Sequence, residues 1–485
     1  MIRLTARTGI FAGIGLLAIA VSGAVHADTL REALIAAYQT NPTLQSARAR
    51  QRANDENVPI EKAAGRPSVT SQTTYTEFLR KSPNNFTSPD RVLSANLELG
   101  VPIYSGGSVR NAVKAAKTRV EAGQAELRGA ESAIFSQVVA AYMDVILQEA
   151  VVGLNTKQVE VLDVNFQATS DRYEIGDLTR TDVAQSQARL ALARSDSRTA
   201  KANLAAAREI YIQLVGNPPE TLAPPPPLPN IPASAQEAVA IALEHNPDII
   251  AAQVNSKAAE YDIEVAGSGR LPSVDLFSGG AYQDYFGTLG GSSGSAAFSQ
   301  DETTAQVGAR LTVPIFQGGR PAALRRQAQA FASAALEGEI AVERDVIAQT
   351  RAAYSSWLAS QEIIRSTQLA VEAAELSLEG VQAENRVGNR TILEILDAQQ
   401  ELLSTRVRLV TARRNAYVAG FTLLAAMGKA EARDLNLDGG ILYDPETNYR
   451  RVRGKWFDWE NDPQPQVDSK STVDTPTQDG EVHSQ

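Results

Sequence analysis

The chain has 485 residues, a formal net charge of −10 at pH 7, 43% hydrophobic residues and no cysteine. That length admits two to four ordinary domains. The missing cysteine excludes disulfides, thiol catalysis and a lipid-modified N-terminal cysteine, and the acidic balance argues against nucleic acid as a partner.

Residues 1–27 read as a secretory signal peptide. Arg3 and Arg7 give a basic start, Ile10 to Val21 is apolar, and Val25-His26-Ala27 is a small-residue cleavage site. The alternative is an uncleaved anchor. Cleavage would start the mature chain at Asp28 and take the charge from −10 to −12. No later run reaches about 18 consecutive apolar residues, so no membrane-spanning helix is predicted. The remaining way to cross a bilayer is a closed β-barrel.

Residues 28–217 form a first unit. Helical stretches reach about Gly65, followed by strand-like runs from about Pro67 to Leu79 and from about Leu93. In the second run Leu93, Ala95, Leu97, Leu99 and Val101 alternate with Ser94, Asn96, Glu98 and Gly100. Strict alternation signals a strand with one apolar and one polar face, as in a sandwich or a wet membrane barrel. The run ends in VPIYSGG, Val101 to Gly107. Pro102 is predicted to end the strand, since proline cannot donate to a ladder, and Gly106 and Gly107 allow a sharp turn. From Ser108 to Tyr173 no proline interrupts a helix that would reach about 100 Å at 1.5 Å per residue. After a break at Gly176 a second helix returns from about Thr179 to Val215. It carries a heptad: Val183, Leu190, Ser197, Leu204 and Tyr211 beside Ser186, Ala193, Ala200, Ala207 and Leu214. That period indicates coiled-coil packing, with a small-residue column that lets helices approach closely.

Residues 218–233 contain APPPPLP and read as a semi-rigid linker. Residues 234–429 then repeat the first unit. Leu30-Arg31-Glu32-Ala33 through Asn41-Pro42 matches Ala235-Gln236-Glu237-Ala238 through Asn246-Pro247, at an offset of 205. From VPIFQGG, Val313 to Gly319, the offset is 212, so the second copy has seven extra residues. Ala305, Val307, Ala309, Leu311 and Val313 alternate with polar or small residues, after a strand-like run from Pro272 to Tyr285. The loop Gly287 to Asp301 is glycine-rich but lacks the Gly-Lys-Ser/Thr of a phosphate loop. Pro314, Gly318 and Gly319 repeat the strand-to-helix junction, and Pro321 suits a first helical turn. The return helix repeats the heptad with Ile395, Leu402, Leu409, Ala416 and Leu423. Residues 430–485 include Asp434 to Glu460, expected to wrap the middle of the molecule with the linker, and a polar end from Asn461 expected to be disordered.

One chain supplies two strand pairs, four strands, whereas membrane barrels begin at about eight. Closure needs several identical chains in cyclic symmetry. Nothing points to catalysis, a metal or a cofactor. His26, His245 and His483 are scattered, and no metal spacing or Ser-His-Asp set is found.

The duplication, VPI-aromatic-x-GG in both copies, and the phrases YEIGDLTRTDVAQSQA (Tyr173 to Ala188) and NRVGNRTILEILDAQ (Asn385 to Gln399) resemble the TolC-like outer-membrane efflux protein family. The resemblance covers Asp28 to Lys429. It implies a mixed α and β membrane protein: a homotrimer whose twelve strands form one barrel in outer-membrane lipid, continuous with a coiled-coil tunnel across the periplasm. The tunnel would receive substrates from an inner-membrane transporter, of RND or ABC type, through a periplasmic adaptor, for efflux or type I secretion. The family's constriction ring falls on Glu394 and Asp397, three apart on one helical face, where acidic rings select cations. The usual pair is two aspartates, so Glu394 departs from the pattern by one methylene. Arg390, Asp182 and Thr181 match a latch that holds the tip closed. The aromatic gate residue of the family is Asn385 here, which implies a looser closed state or greater reliance on Arg390. Ile175-Gly176-Asp177 and Val387-Gly388-Asn389 match the turns where the adaptor docks. Rival readings are a periplasmic coiled-coil spacer, which has no need of amphipathic strands, and a diffusion porin, which has no need of long helices.

Overall fold

The computed structural model describes residues 28–81, 88–229, 231–290, 297–437 and 442–482. The signal peptide, parts of both strand loops and His483 lie outside them. The first copy comprises α1 (Leu30–Thr40), α2 (Pro42–Asp55), α3 (Asn57–Ala63), β1 (Ser68–Glu77), β2 (Arg91–Ser105), α4 (Ser108–Glu174) and α5 (Arg180–Val215). The second comprises α6 (Ala235–His245), α7 (Pro247–Ser268), β3 (Ser273–Asp284), β4 (Asp301–Thr312), α8 (Arg320–Arg386) and α9 (Ile392–Ala426), and α10 (Pro445–Val452) follows.

The two strand pairs join into one antiparallel sheet, ordered β1-β2-β3-β4, through β2 and β3. Register aligns the apolar columns. Val69 faces Leu99, Leu99 faces Ser278 and Ser278 faces Val307; one step down, Val101 faces Leu276 and Leu276 faces Ala309. The sheet is unclosed, since β1 and β4 each have one unpaired edge among the described residues. Pro102 does not end its strand: β2 runs on to Ser105. β1 reaches only to Gly100, so past that point β2 has a partner on one side alone, and a register shift between Pro102 and Tyr104 absorbs the missing N–H. In the second copy β4 stops at Thr312, before Pro314.

The long helices of the first copy match the sequence reading to within a residue, and the second hairpin ends at Ala426. The return-helix heptads are the buried seam: Leu190, Leu204 and Tyr211 of α5, and Leu402, Leu409 and Leu423 of α9 are each under 9% exposed. The sequence predicts no membrane-spanning helix, yet α4 meets the length and composition of one. Its most apolar residues, Phe135, Val138, Val139, Tyr142 and Val145, are fully buried in a central core with α1, α5, the end of α9 and residues 430–437.

The Asn-Pro phrase is a staple at that level. Asn41 caps α2 through Thr43 N and Leu44 N, while its amide donates to Leu214 O at the end of α5 (3.0 Å). Asn246 caps α7 in the same way and donates to Ala426 O at the end of α9 (2.9 Å). One side chain thus satisfies orphan groups of two helix ends. The proline-rich linker is fixed rather than free. Tyr142 donates to Ala223 O (2.6 Å), and its repeat counterpart Tyr354 donates to Ala233 O (2.8 Å). The polar end differs from the expected disorder. It lies along α5, with Lys201 bound to Glu481 (2.6 Å) and nearly buried Arg208 bridging Glu149 (3.0 Å) and Asp479 (3.2 Å).

Candidate functional site at the helix tips

The ends of the two hairpins are built alike. α4 ends at a left-handed Gly176 (φ +83°), with Asp177 N donating to Arg172 O (2.9 Å). α8 ends at Gly388 (φ +79°), with Asn389 N donating to Glu384 O (2.9 Å). This six-to-one bond with a left-handed glycine closes each helix C-terminus. It leaves Ile175 81% and Val387 71% exposed at the extreme tips. Each return helix then starts with a reciprocal capping box, Thr179 with Asp182 and Thr391 with Glu394.

Asp182 and Glu394 are therefore equivalent positions of the repeat. Asp182 accepts from Thr179 N (2.9 Å) and Oγ1 (2.7 Å), and these bonds hold its carboxyl below the usual range. Glu394 accepts from Thr391 N (2.8 Å) and Oγ1 (2.9 Å) and from Arg390. The Thr391 N–H, then Arg390 and the Thr391 hydroxyl, hold it down to about 2. Arg390 also binds Glu384 (2.6 Å), and these two carboxylates raise its affinity for the proton. Asn385 donates from its amide to Arg390 O (2.7 Å). Within one chain Arg390 and Asp182 are thus engaged separately. Thr181 is exposed, without a side-chain hydrogen bond among the described residues.

Glu394 and Asp397 do share one face, yet Asp397 is bound to a residue that sequence reasoning missed. Arg189 of α5 donates to its Oδ1 (2.6 Å) and bridges the two hairpins. Around it, Asn165 of α4 donates to Gln399 of α9 (3.1 Å), and Leu396 packs with Leu162, Leu190 and Ala193. Further up, Arg414 of α9 forks onto Asp144 of α4 (2.8 and 2.9 Å). No local spacing signals Arg189, which stands 208 residues from Asp397. Among the described residues no group of three or more His, Cys, Asp and Glu is set to hold a metal.

The outer membrane efflux protein family matches residues 34–217 and 238–429, one match for each copy of the repeat. The chain is 33% identical over 435 residues to outer membrane efflux protein BepC of Brucella suis, covering 90% of this chain and 92% of that one. It is 25% identical to outer membrane protein TolC of Vibrio cholerae, over 87% and 95% of the two chains. The crystal structure of the Campylobacter jejuni CmeC outer membrane channel has the same fold, with a TM-score of 0.73 over 88% of this chain and 89% of that one at 16% identity. The protein is accordingly an outer-membrane channel for efflux or secretion. This chain, with its duplicated hairpins, a strand pair in each copy and paired glycine-capped tips, belongs to the TolC-like outer membrane efflux proteins.

Proposed function

We propose that three copies close into a twelve-stranded barrel and a periplasmic tunnel, an efflux duct gated at the helix tips. The observation that carries this reading is the unequal satisfaction of the two copies. α4 buries residues along most of its length, whereas α8, of the same 67 residues, buries only Ala332, Val346, Thr350, Ser360 and Val371. Ile315, Phe316, Phe331, Leu369 and Leu376 are 66–96% exposed. α4 is flanked by α2 and α3 as well as α7; α8 has α6 and α7 and, among the described residues, no counterpart of α2 and α3 as a second flank. By the repeat, that flank is α2 and α3 of the next chain, and β4 pairs with the next β1. Such a head-to-tail interface closes a ring.

In that ring the tips meet at the axis. Glu394 and Asp397 then form the constriction, and Arg390, Asp182, Thr181 and Asn385 the latch between neighbouring coils. Arg390 must exchange Glu384 or Glu394 for Asp182 of the neighbour. Ile175, Gly176 and Asp177 with Val387, Gly388 and Asn389 are the docking tips for a periplasmic adaptor, behind which an inner-membrane transporter supplies substrate. Efflux is favoured over protein secretion because the Brucella relative named for efflux aligns over nearly the whole chain.

Single-channel conductance in planar bilayers tests the gate. The variant pairs Arg390→Ala with Asp182→Asn, since asparagine still accepts from Thr179. A small cation-selective current that rises in the variant is expected. Equal, large and unselective currents from both proteins would favour the porin, and no current from folded protein the spacer.

A further inference from the structure

Trp456, Phe457 and Trp459 are 54%, 71% and 90% exposed, among the most exposed aromatic side chains outside the strands and their junctions. They do not hang on a loose tail. Asp462 closes the base of their loop by binding Arg451 (2.7 Å) and Lys455 (3.0 Å). Glu460 N donates to Phe457 O (3.3 Å) and Asn461 N to Trp459 O (3.1 Å), which folds the loop on itself. Two cations then fasten the loop to the chain entering the sheet. Lys62 at the end of α3 donates to Arg453 O (2.7 Å), and Arg66 donates to Lys455 O (2.7 Å). The Arg66 guanidinium also lies over the Trp456 ring, 4.5 Å from its centre.

The height of this loop is fixed by its anchor. Arg66 stands two residues before β1. A side chain at neighbouring Gly65 would come within 2.9 Å of Val109, in the first turn of α4. The aromatics therefore sit at the foot of the sheet, beside the periplasmic ends of β1 and β2. At those same ends of β1 and β2, Val69, Ile103 and Tyr104 are exposed apolar side chains. Behind them is a basic cluster. Lys62, Arg66, Lys117 and Arg453 make no ion pair among the described residues. Burial first, then Lys117, Arg66 and Arg453, push the Lys62 ammonium below its usual value. Asp458 and Glu460 interleave with the aromatics and lessen, without cancelling, that positive field.

We propose that Trp456, Phe457 and Trp459, backed by Lys62, Arg66, Lys117 and Arg453, anchor the protein in the phospholipid headgroups of the periplasmic leaflet, with a preference for anionic phospholipid. Amphipathic aromatic rings favour the headgroup level, and juxtamembrane cations add attraction to anionic lipid. The loop is anchored at the foot of the sheet, where β1 begins, so lipid is the occupant expected at that height. The segment expected from sequence to wrap the middle of the molecule then also sets the depth of the barrel.

The proposal rests on the sheet lying in the membrane, and the test separates the two. The chain has three tryptophans, so Trp357→Phe leaves only Trp456 and Trp459 as reporters. The full mature protein is reconstituted into phosphatidylethanolamine and phosphatidylglycerol vesicles carrying shallow bromine labels on one lipid at a time. Interfacial rings should lose emission about twofold, and more from brominated phosphatidylglycerol than from an equal fraction of brominated phosphatidylethanolamine. Equal quenching by both lipids overturns the anionic preference. No bromine quenching with free acrylamide quenching means that the loop is in water, and shielding from both means that another protein surface covers it; either overturns the anchor. A tryptophan-free protein carrying Leu311→Trp at the foot of β4 is the control. If it too is unquenched, the membrane placement of the sheet has failed rather than the anchor.

Discussion

Asp182 and Glu394 stand 212 residues apart and perform one task, closing the first turn of a return helix from its third position. The sequence displays the two capping boxes, but reading Glu394 as a pore carboxylate hides the fact that its oxygens are already spoken for. The consequence concerns pH. The carboxyl of Glu394 falls from its ordinary value of 4.5 to about 2 when folded. Its contribution to the tip is therefore fully present above the ordinary value and is lost only as pH falls through about 2. In the proposed ring, an Asp397→Asn variant leaves Glu394 as the remaining carboxylate. Its cation selectivity, read from reversal potentials, should stay unchanged from about pH 7 to pH 4, above the folded value but spanning the ordinary one. Selectivity that collapses across that interval would assign the ring to another group. The Arg189–Asp397 bridge was illegible for a different reason. Its partners belong to different copies, and only the packing of α9 on α4 and α5 brings them together.

Among the elements, helices and strand faces were legible because each has a sequence period, 3.5 for the return helices, whose seam is buried, and 2 for the apolar and polar faces of β2 and β4. The end of β2 was not legible, because whether a proline breaks a strand depends on how many neighbours the strand has at that point. The junction glycines separate two further cases. Gly106 has a φ of +63°, and a Cβ there would lie 2.8 Å from Ser268 O and 3.0 Å from Leu271 Cβ. Gly388 has a φ of +79° and nothing within 4 Å. Alanine at Gly388 carries backbone strain alone, about 1 kcal/mol. Alanine at Gly106 adds an overlap with backbone that cannot rotate away, for a total of about 3 kcal/mol. Gly106→Ala should lower the thermal midpoint by circular dichroism and the yield of heat-modifiable protein, whereas Gly388→Ala should leave yield intact. Equal losses would mean that the contact between the two copies at the junction is not what holds the foot of the sheet.

At the scale of the molecule the duplication leaves each chain's contact pattern unfinished. The first copy finds its flanking helices within the chain; in the proposed ring the second finds them in a neighbour. The strand directions agree with this, since β1 to β4 alternate and a following β1 would meet β4 antiparallel. Because the chain has no cysteine, introduced ones report cleanly. One cysteine on β1, scanned over residues 70–76, is paired with one on β4, scanned over residues 303–309. Any register in which they face each other across a subunit boundary should form disulfides on oxidation. Closure by three chains gives covalent dimers and trimers and nothing larger. A ladder that stops at two would mean an eight-stranded barrel, whose interior side chains would fill, and would overturn the three-chain duct. A ladder running past three would mean an open sheet, and the exposed flank of α8 would then need another partner.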